Sequence, residues 1–415
     1  MGTLNDAERA FYSADLGTDI GTINDLKKAF YEKYPGGLSS TYAPVAEPIG
    51  AAAQTTASAA VPKASLANQN TRGPGTSALA AITSGTWTTA SGYNALAANT
   101  SGAYNTAFGH SALSQATTAS GNTAVGSDSL VSATGDNNTA VGGFALRVLT
   151  TGTNNVAVGY GALTAATTTS SCVAIGLFAL QAFTAGAPNI AIGQFALAAN
   201  ITGPNNIAIG SNALMVATAS LPNVAIGNFS MTALTTGSRN TAVGHNTMAA
   251  NTTGTVNTAM GDNTLSANTT GIYNTAIGCD SQKIVTTGNR NTGLGVNALA
   301  ALTTGSSNTA VGTGSGGAGV TIATGSFNTY VGETAGPASG DPSYALGLGA
   351  YAVAGANGSV AIGTDNAGTG ASTTVANEFM LGTANHRYKM PGLPIVNPGA
   401  GSGILWSNAG VVTVA

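Results

Sequence analysis

Along most of this chain one pattern of apolar and polar positions returns every 17 residues. It reads Asn-Thr-Ala-Val-Gly, two variable residues, Ala-Leu, then a polar stretch closing on Thr-Thr-Gly. Its first position falls at Asn105, Asn122, Asn138, Asn155, Cys172, Asn189 and onward to Asn308; eleven of those twelve intervals are 17 residues and one is 16. Thr88 fits one unit earlier, Asn328 follows after 20 residues, and degenerate units begin near Ser343, Ser359 and Glu378.

A fixed period of this kind marks a repeat architecture. Seventeen residues are too few for a pair of helices, and a glycine in every unit weakens a helix by about 1 kcal/mol each. Two short strands and two turns fit instead. In the first strand the fourth position is Phe108, Val125, Val141, Val158 and their successors, and the second is Thr, Val or Ile. Two-residue periodicity puts both on one face. The third position is Ala from Ala107 to Ala310 except at Gly293, so it points into a space that admits only a small group. The second strand is expected to carry Leu113, Leu130, Leu146 and the rest of that column to Leu299. Gly109, Gly126 and Gly142 mark a tight corner or a close backbone approach. The Asn column is either a coil-to-coil amide ladder or a set of solvated turn residues.

One coil cannot bury its own apolar face, so neighbouring coils supply the core. The predicted fold is all-β: a parallel β-helix or β-roll solenoid of 17-residue coils. Both faces of the first strand are small or apolar, which calls for a second buried region outside the coil. That predicts a homotrimer, intertwined or side by side.

The ends differ from the middle. Residues 1–37 hold a duplication: Gly2-Thr3-Leu4-Asn5-Asp6 and Ala10-Phe11-Tyr12 match Gly21-Thr22-Ile23-Asn24-Asp25 and Ala29-Phe30-Tyr31. Each copy reads as a short helix with Asn or Asp at its cap. Phe11, Tyr12, Phe30 and Tyr31 are candidate anchors, either to each other or to a particle. Residues 38–87 are an Ala-, Thr- and Pro-rich linker. Residues 88–383 are the repetitive β-coil shaft, and 384–415 a cap or tip. Pro391, Pro394 and Pro398 deny that last segment a central strand, and Trp406 with the Val411-Val412-Thr413-Val414 run predicts a small β cap. His386, Arg387, Tyr388 and Trp406 are the candidate receptor contacts, because Tyr, Trp and Arg dominate binding hot spots; closing the end of the core is the other reading of Trp406.

Composition sharpens this. Charged residues make up 7% of the chain, against roughly 25% in an ordinary domain. Eleven lie before Gly50 and only eight between Thr88 and Tyr330, so the middle is solvated by Thr, Ser and Asn. A net charge of −3 suggests no nucleic-acid partner. No run of 18 apolar residues suggests membrane insertion, and the N-terminus does not read as a secretory signal. Cys172 and Cys279 lie about six coils apart, roughly 30 Å at sheet spacing, too far to bridge within one chain.

Catalytic chemistry is not legible, and no cofactor is expected. His110, His245 and His386 have no metal-ligand spacing around them. A carboxylate pair would have to come from Asp136, Asp262, Asp280, Glu333, Asp341, Asp365 or Glu378, which are scattered, although a trimer can build a site between chains.

The unit Asn-Thr-Ala-Val-Gly-x-x-Ala-Leu…Thr-Thr-Gly resembles repeats of bacteriophage tail or head fibres. It is similar, less closely, to the head repeats of trimeric autotransporter adhesins, whose coils form a trimeric β-roll. The stretch from Asn377 to Pro394 resembles the closing segment of phage fibres. The resemblance implies a virion location, with the N-terminus on a tail or capsid protein and the C-terminus facing a host-surface glycan or protein. The signal peptide and membrane anchor of the adhesins, and the self-cleaving chaperone of many fibres, are not legible here. Four functions remain open: a host-attachment fibre, a capsid-decorating fibre or passive spacer, an adhesin head, and a trimeric depolymerase.

Overall fold

The computed structural model describes residues 71–382, without 187, 219–221, 318–322, 338–339 and 364–369, together with 405–408 and 411–414. Three-residue strands form where the sequence reads Thr-Ala-Val or Val-Ala-Ile, because β-branched side chains flank an Ala and suit a pleated surface. Each strand pairs in parallel with its equivalent one coil on. Thr106, Ala107 and Phe108 face Thr123, Ala124 and Val125, and Val173, Ala174 and Ile175 face Ile190, Ala191 and Ile192. The result is one 19-stranded parallel sheet from Thr71–Arg72 to Phe379–Leu381. At about 4.8 Å per strand the ladder spans about 85 Å. The all-β parallel solenoid expected from the period is therefore the observed fold. Its first paired strand, Thr71–Arg72, precedes Thr88, where the repeat becomes readable in the sequence.

In the regular coils among the described residues the expected second strand is absent; the Leu segment is a chain of left-handed turns. Ser111 and Leu113 have φ of 54° and 51°. Ala112, Ser114 and Ala116 donate their N–H groups within the coil, to the carbonyls of Gly109, Ser111 and Leu113. The alternate residues bond between coils: Ser111 N–H to Tyr93 O (2.8 Å), Leu113 N–H to Ser129 O (3.1 Å) and Gln115 N–H to Val131 O (2.9 Å). A left-handed Leu costs about 1–2 kcal/mol. Two gains offset it: a backbone bond to the next coil, and complete burial of the leucine side chain.

The core is a narrow column inside the coils. The strand Ala, the turn Ala and the turn Leu are buried in coil after coil, as in Ala107, Ala112 and Leu113. The Asn column is buried as well, which decides between its two readings. Asn122 donates its N–H to Asn105 Oδ1 (2.9 Å), and the pattern repeats up the column to Ala345 on Asn328 Oδ1 (2.9 Å). The amide nitrogen also reaches a turn carbonyl, as in Asn257 Nδ2 to Gly271 O at 2.8 Å. Cys172 is the one interruption. Its N–H still reaches Asn155 Oδ1 (3.0 Å), and the Asn189 N–H meets its Sγ at 3.4 Å.

The polar side of the coil carries a second ladder. The hydroxyl of Thr150 donates to Thr167 O (2.8 Å) and that of Thr167 to Thr184 O (3.1 Å). The corner glycines are required by close approach: Gly109 has φ +131°, and a β-carbon there would lie 2.5 Å from Gly126 O. Thr324 and Gly325, shortly before Asn328, are held by Asp341, whose carboxylate accepts from Thr324 N–H (2.8 Å) and Gly325 N–H (2.6 Å).

Val353–Ala354 and Ser372–Thr373 form a separate parallel pair, and Leu405–Asn408 pairs antiparallel with Val411–Val414. The short N-terminal helices expected over residues 1–37 lie outside the described residues.

Candidate functional site on the strand ladder

With the strand Ala turned inward, the second and fourth positions must face out. They do so in every regular coil. The Ala is fully buried while its two neighbours are half-buried or exposed, as in Val156–Val158 and Thr258–Met260. Phe108, Met260 and Ile277 remain 44%, 47% and 40% exposed. The outward face is thus a continuous pair of columns, aliphatic at the fourth position throughout most of its length. A single solenoid leaves it against solvent.

The face is not uniform along its length. At the second position it carries Thr from Thr89 to Thr139, then Val156, Val173, Ile190, Ile207 and Val224. Thr returns from Thr241 to Thr329, and Leu346, Val360 and Phe379 finish the column. The in-register pairing makes this one straight line of side chains.

Two edges of the coil carry aromatic columns that the repeat reading passed over. Trp87 and Tyr104 stack with centroids 6.4 Å apart, and Phe327 and Tyr344 with centroids 5.0 Å apart. All four stand just before the Asn column or its equivalent. At the glycine corner Phe144, Tyr160, Phe178 and Phe195 form a run over four successive coils, with centroids 5.4, 5.5 and 5.8 Å apart. The Arg147 guanidinium lies over Phe144 at 5.3 Å. Aligning the residues around each Asn and each corner Gly in columns reveals both.

Charges occur singly and are used locally. His245 Nδ1 meets Asp262 Oδ1 at 2.9 Å and His110 Nδ1 meets Asp128 Oδ1 at 3.6 Å, each pair spanning one coil step on the corner. Lys283 pairs with Asp280 at 3.2 Å. Asp136 caps Ser120 N–H at 2.7 Å, and Glu378 accepts from Thr374 N–H at 3.2 Å. Of the carboxylates considered for bond cleavage, Asp262 and Asp280 stand on successive coils, the Asp280 N–H donating to Asp262 O at 3.0 Å, and each meets a basic side chain, His245 and Lys283. Asp365 lies outside the described residues, among which no group of three His, Cys, Asp or Glu side chains is placed to hold a metal ion. Burial raises the Cys172 thiol above its ordinary pKa, whereas Cys279 is exposed.

Trp406 lies in the strand Leu405–Asn408, opposite Thr413 of the second strand. His386, Arg387 and Tyr388 lie outside the described residues, as do Phe11, Tyr12, Phe30 and Tyr31. No protein family, curated protein or solved structure matches the chain. No helix among the described residues is long and apolar enough to cross a membrane.

Proposed function

We propose that this chain is a non-enzymatic structural fibre protein whose solenoid associates, parallel and in threes, through the outward face of its strand ladder. The observation that carries the reading is that face: two columns of side chains, largely aliphatic, standing outside a core that is already full. Two side chains wide and about 85 Å long, it offers about 800 Å² per chain. That is the area each partner buries in an interface of standard size. The resemblance of the repeat to phage fibres makes the assembly a virion appendage. In this reading residues 1–37, with Phe11, Tyr12, Phe30 and Tyr31, join a tail or capsid protein. The C-terminal segment, with His386, Arg387, Tyr388 and Trp406, meets the host surface.

Light scattering tests the association directly. The expected mass is three times the 40.2 kDa of one chain. Replacing Ile192 and Ile209 by Lys should leave a folded monomer, because both side chains face out of the coil. A wild-type chain that scatters as 40.2 kDa would end the reading. Particle attachment is tested by deleting residues 1–37, which should leave an assembled shaft that no longer joins the virion. Arg387→Ala with Tyr388→Ala should reduce adsorption to host cells while the trimer persists; unchanged adsorption would leave a spacer.

A further inference from the structure

The 17-residue repeat creates a problem for any self-association through the ladder. Where every coil is alike, one chain can slide along its partner by one coil and meet an almost identical surface. Yet the outward face is not alike from coil to coil.

We infer that the second-position column is a register code that aligns associated copies of this chain. The inference rests on the association proposed above. Read along the sheet from Thr89, the column runs through four Thr rows, five aliphatic rows, six Thr rows and three apolar rows. The five-row block is Val156, Val173, Ile190, Ile207 and Val224; the three-row block is Leu346, Val360 and Phe379. The fourth position is Val or Ile across the whole five-row block, from Val158 to Ile226. The face there is aliphatic on both columns.

Parallel copies in register pair each block with its own kind. A slip of one coil sets an aliphatic row against a Thr row at each of the three block boundaries, and a longer slip adds more such rows. Each mismatch faces a hydroxyl with an aliphatic surface that offers it no hydrogen-bond partner. The unequal block lengths also set direction. Antiparallel copies centred on Ile190 match the five-row block but leave Leu346, Val360 and Phe379 beyond the end of the partner's ladder. Only the parallel, in-register arrangement covers both blocks. The coil itself does not require these residues: Thr occupies the same outward position in neighbouring coils with the same backbone and the same buried Ala beside it. The variation therefore concerns what lies outside the coil.

The native Cys279 makes the test practical, being exposed where Cys172 is buried. His110 occupies the equivalent corner position, each following a corner glycine, Gly109 and Gly278. The two lie ten coils apart, about 48 Å along the axis at ~4.8 Å per coil. Chains with His110→Cys and Cys279→Ser are co-expressed with chains carrying Cys279 alone, under two affinity tags. The mixed assemblies are spin-labelled and the distance between labels on different chains is measured by pulsed EPR.

The native column should give one narrow long distance. Replacing all eight apolar second-position residues by Thr should leave the β-rich circular dichroism and the assembled mass, and split or broaden the distance in steps approaching ~4.8 Å per coil. Should the eightfold variant misfold, the fivefold variant in the central block alone should broaden the distance to a lesser degree. A folded, assembled variant with the same narrow distance overturns the inference and leaves the association standing. A broad distance in the native chain overturns it too. A monomeric native chain overturns the association, and the inference falls with it.

Discussion

Gln282 occupies space that Gly293 leaves open. Gln282 stands in the Leu column and is fully buried; Gly293, the one glycine in the strand-Ala column between Ala107 and Ala310, lies against it. A β-carbon at Gly293 would lie 2.7 Å from Ser281 Oγ and 3.1 Å from Gln282 Nε2. The two departures from the repeat are one compensated pair. The Gln282 amide nitrogen donates to Thr275 O at 2.8 Å, but its Oε1 is buried without a partner.

Gly293→Ala alone should therefore destabilise the chain by about 1–3 kcal/mol through overpacking. Gln282→Leu together with Gly293→Ala restores the prevailing pair and removes the unpaired oxygen. The double variant should be at least as stable as the native chain, and the two changes should couple by more than about 0.5 kcal/mol. Denaturant melts of the four proteins measure this, and simple additivity would refute the pairing.

Much of the fold was legible because its signal is periodic. The 17-residue spacing, the recurrent strand Ala and the β-branched flanks fix a parallel ladder with a small-residue interior. The Leu column misled. An apolar residue beside Ala, five residues after a strand ends, reads as a second strand, because bulky side chains rarely adopt positive φ. Leu113 does so because its N–H finds a carbonyl in the next coil, a partner supplied by stacking and not by local sequence. Whether the Asn column was buried was equally undecidable from one coil, since the acceptor of each Asn N–H is the Asn of the coil before. The outward face was legible as apolar, but its block pattern emerged only once the register aligned Thr309 with Thr329 across a 20-residue interval. The candidate tip and anchor residues lie outside the periodic signal and rest on residue type, the duplication in residues 1–37 and the change of pattern after residue 383.

The two thiols should separate cleanly. Cys279 is exposed, whereas Cys172 is buried in the Asn column beside Thr169, with Oγ1 to Sγ at 3.1 Å, and burial raises its pKa. A thiolate-selective chromogenic reagent at neutral pH should modify one thiol per native chain and a second only after denaturation. Rapid reaction of both in the native protein would contradict the buried column.

Tyr330 should make the fold sensitive to alkali. It takes the place of the strand Ala, is fully buried, and faces Gly347 in the next coil, where a β-carbon would lie 3.0 Å from its Cδ1. Burial first, and the charge of Asp341 second, push its pKa above the usual 10.0. The unfolded chain therefore releases this proton at a lower pH than the folded chain does. The stability linked to Tyr330 is complete below pH 10 and falls as pH rises beyond it, by up to about 1.4 kcal/mol per pH unit. Tyr330→Phe keeps the ring and removes the proton, giving up only a 3.3 Å hydrogen bond to Ala354 O. Its unfolding midpoint should decline less steeply between pH 10 and about 12. Parallel declines for the two proteins would show that Tyr330 ionises as freely in the fold as in the open chain.

The Asn ladder should be the most sensitive polar element in the solenoid. Asn257 Oδ1 accepts the Asn274 N–H at 2.9 Å, while its Nδ2 reaches Asn240 Oδ1 at 3.2 Å and Gly271 O at 2.8 Å. Asn257→Ala removes all three bonds and strands a buried N–H where water has no access. Loss of a partner from a buried polar group costs about 1–3 kcal/mol. Asn257→Asp keeps the acceptor for Asn274 but loses both donor bonds and places a carboxylate in the core, so it should be worse at neutral pH and partly recover in acid as the carboxylate protonates. Thr253→Ala, one turn away and exposed, serves as the control and should change stability by less than about 0.5 kcal/mol. Chemical unfolding of the three variants at pH 7 and pH 4 measures the set. If Asn257→Ala behaves like the Thr253 control, the column is a solvated turn after all and the buried ladder does not hold the coils together.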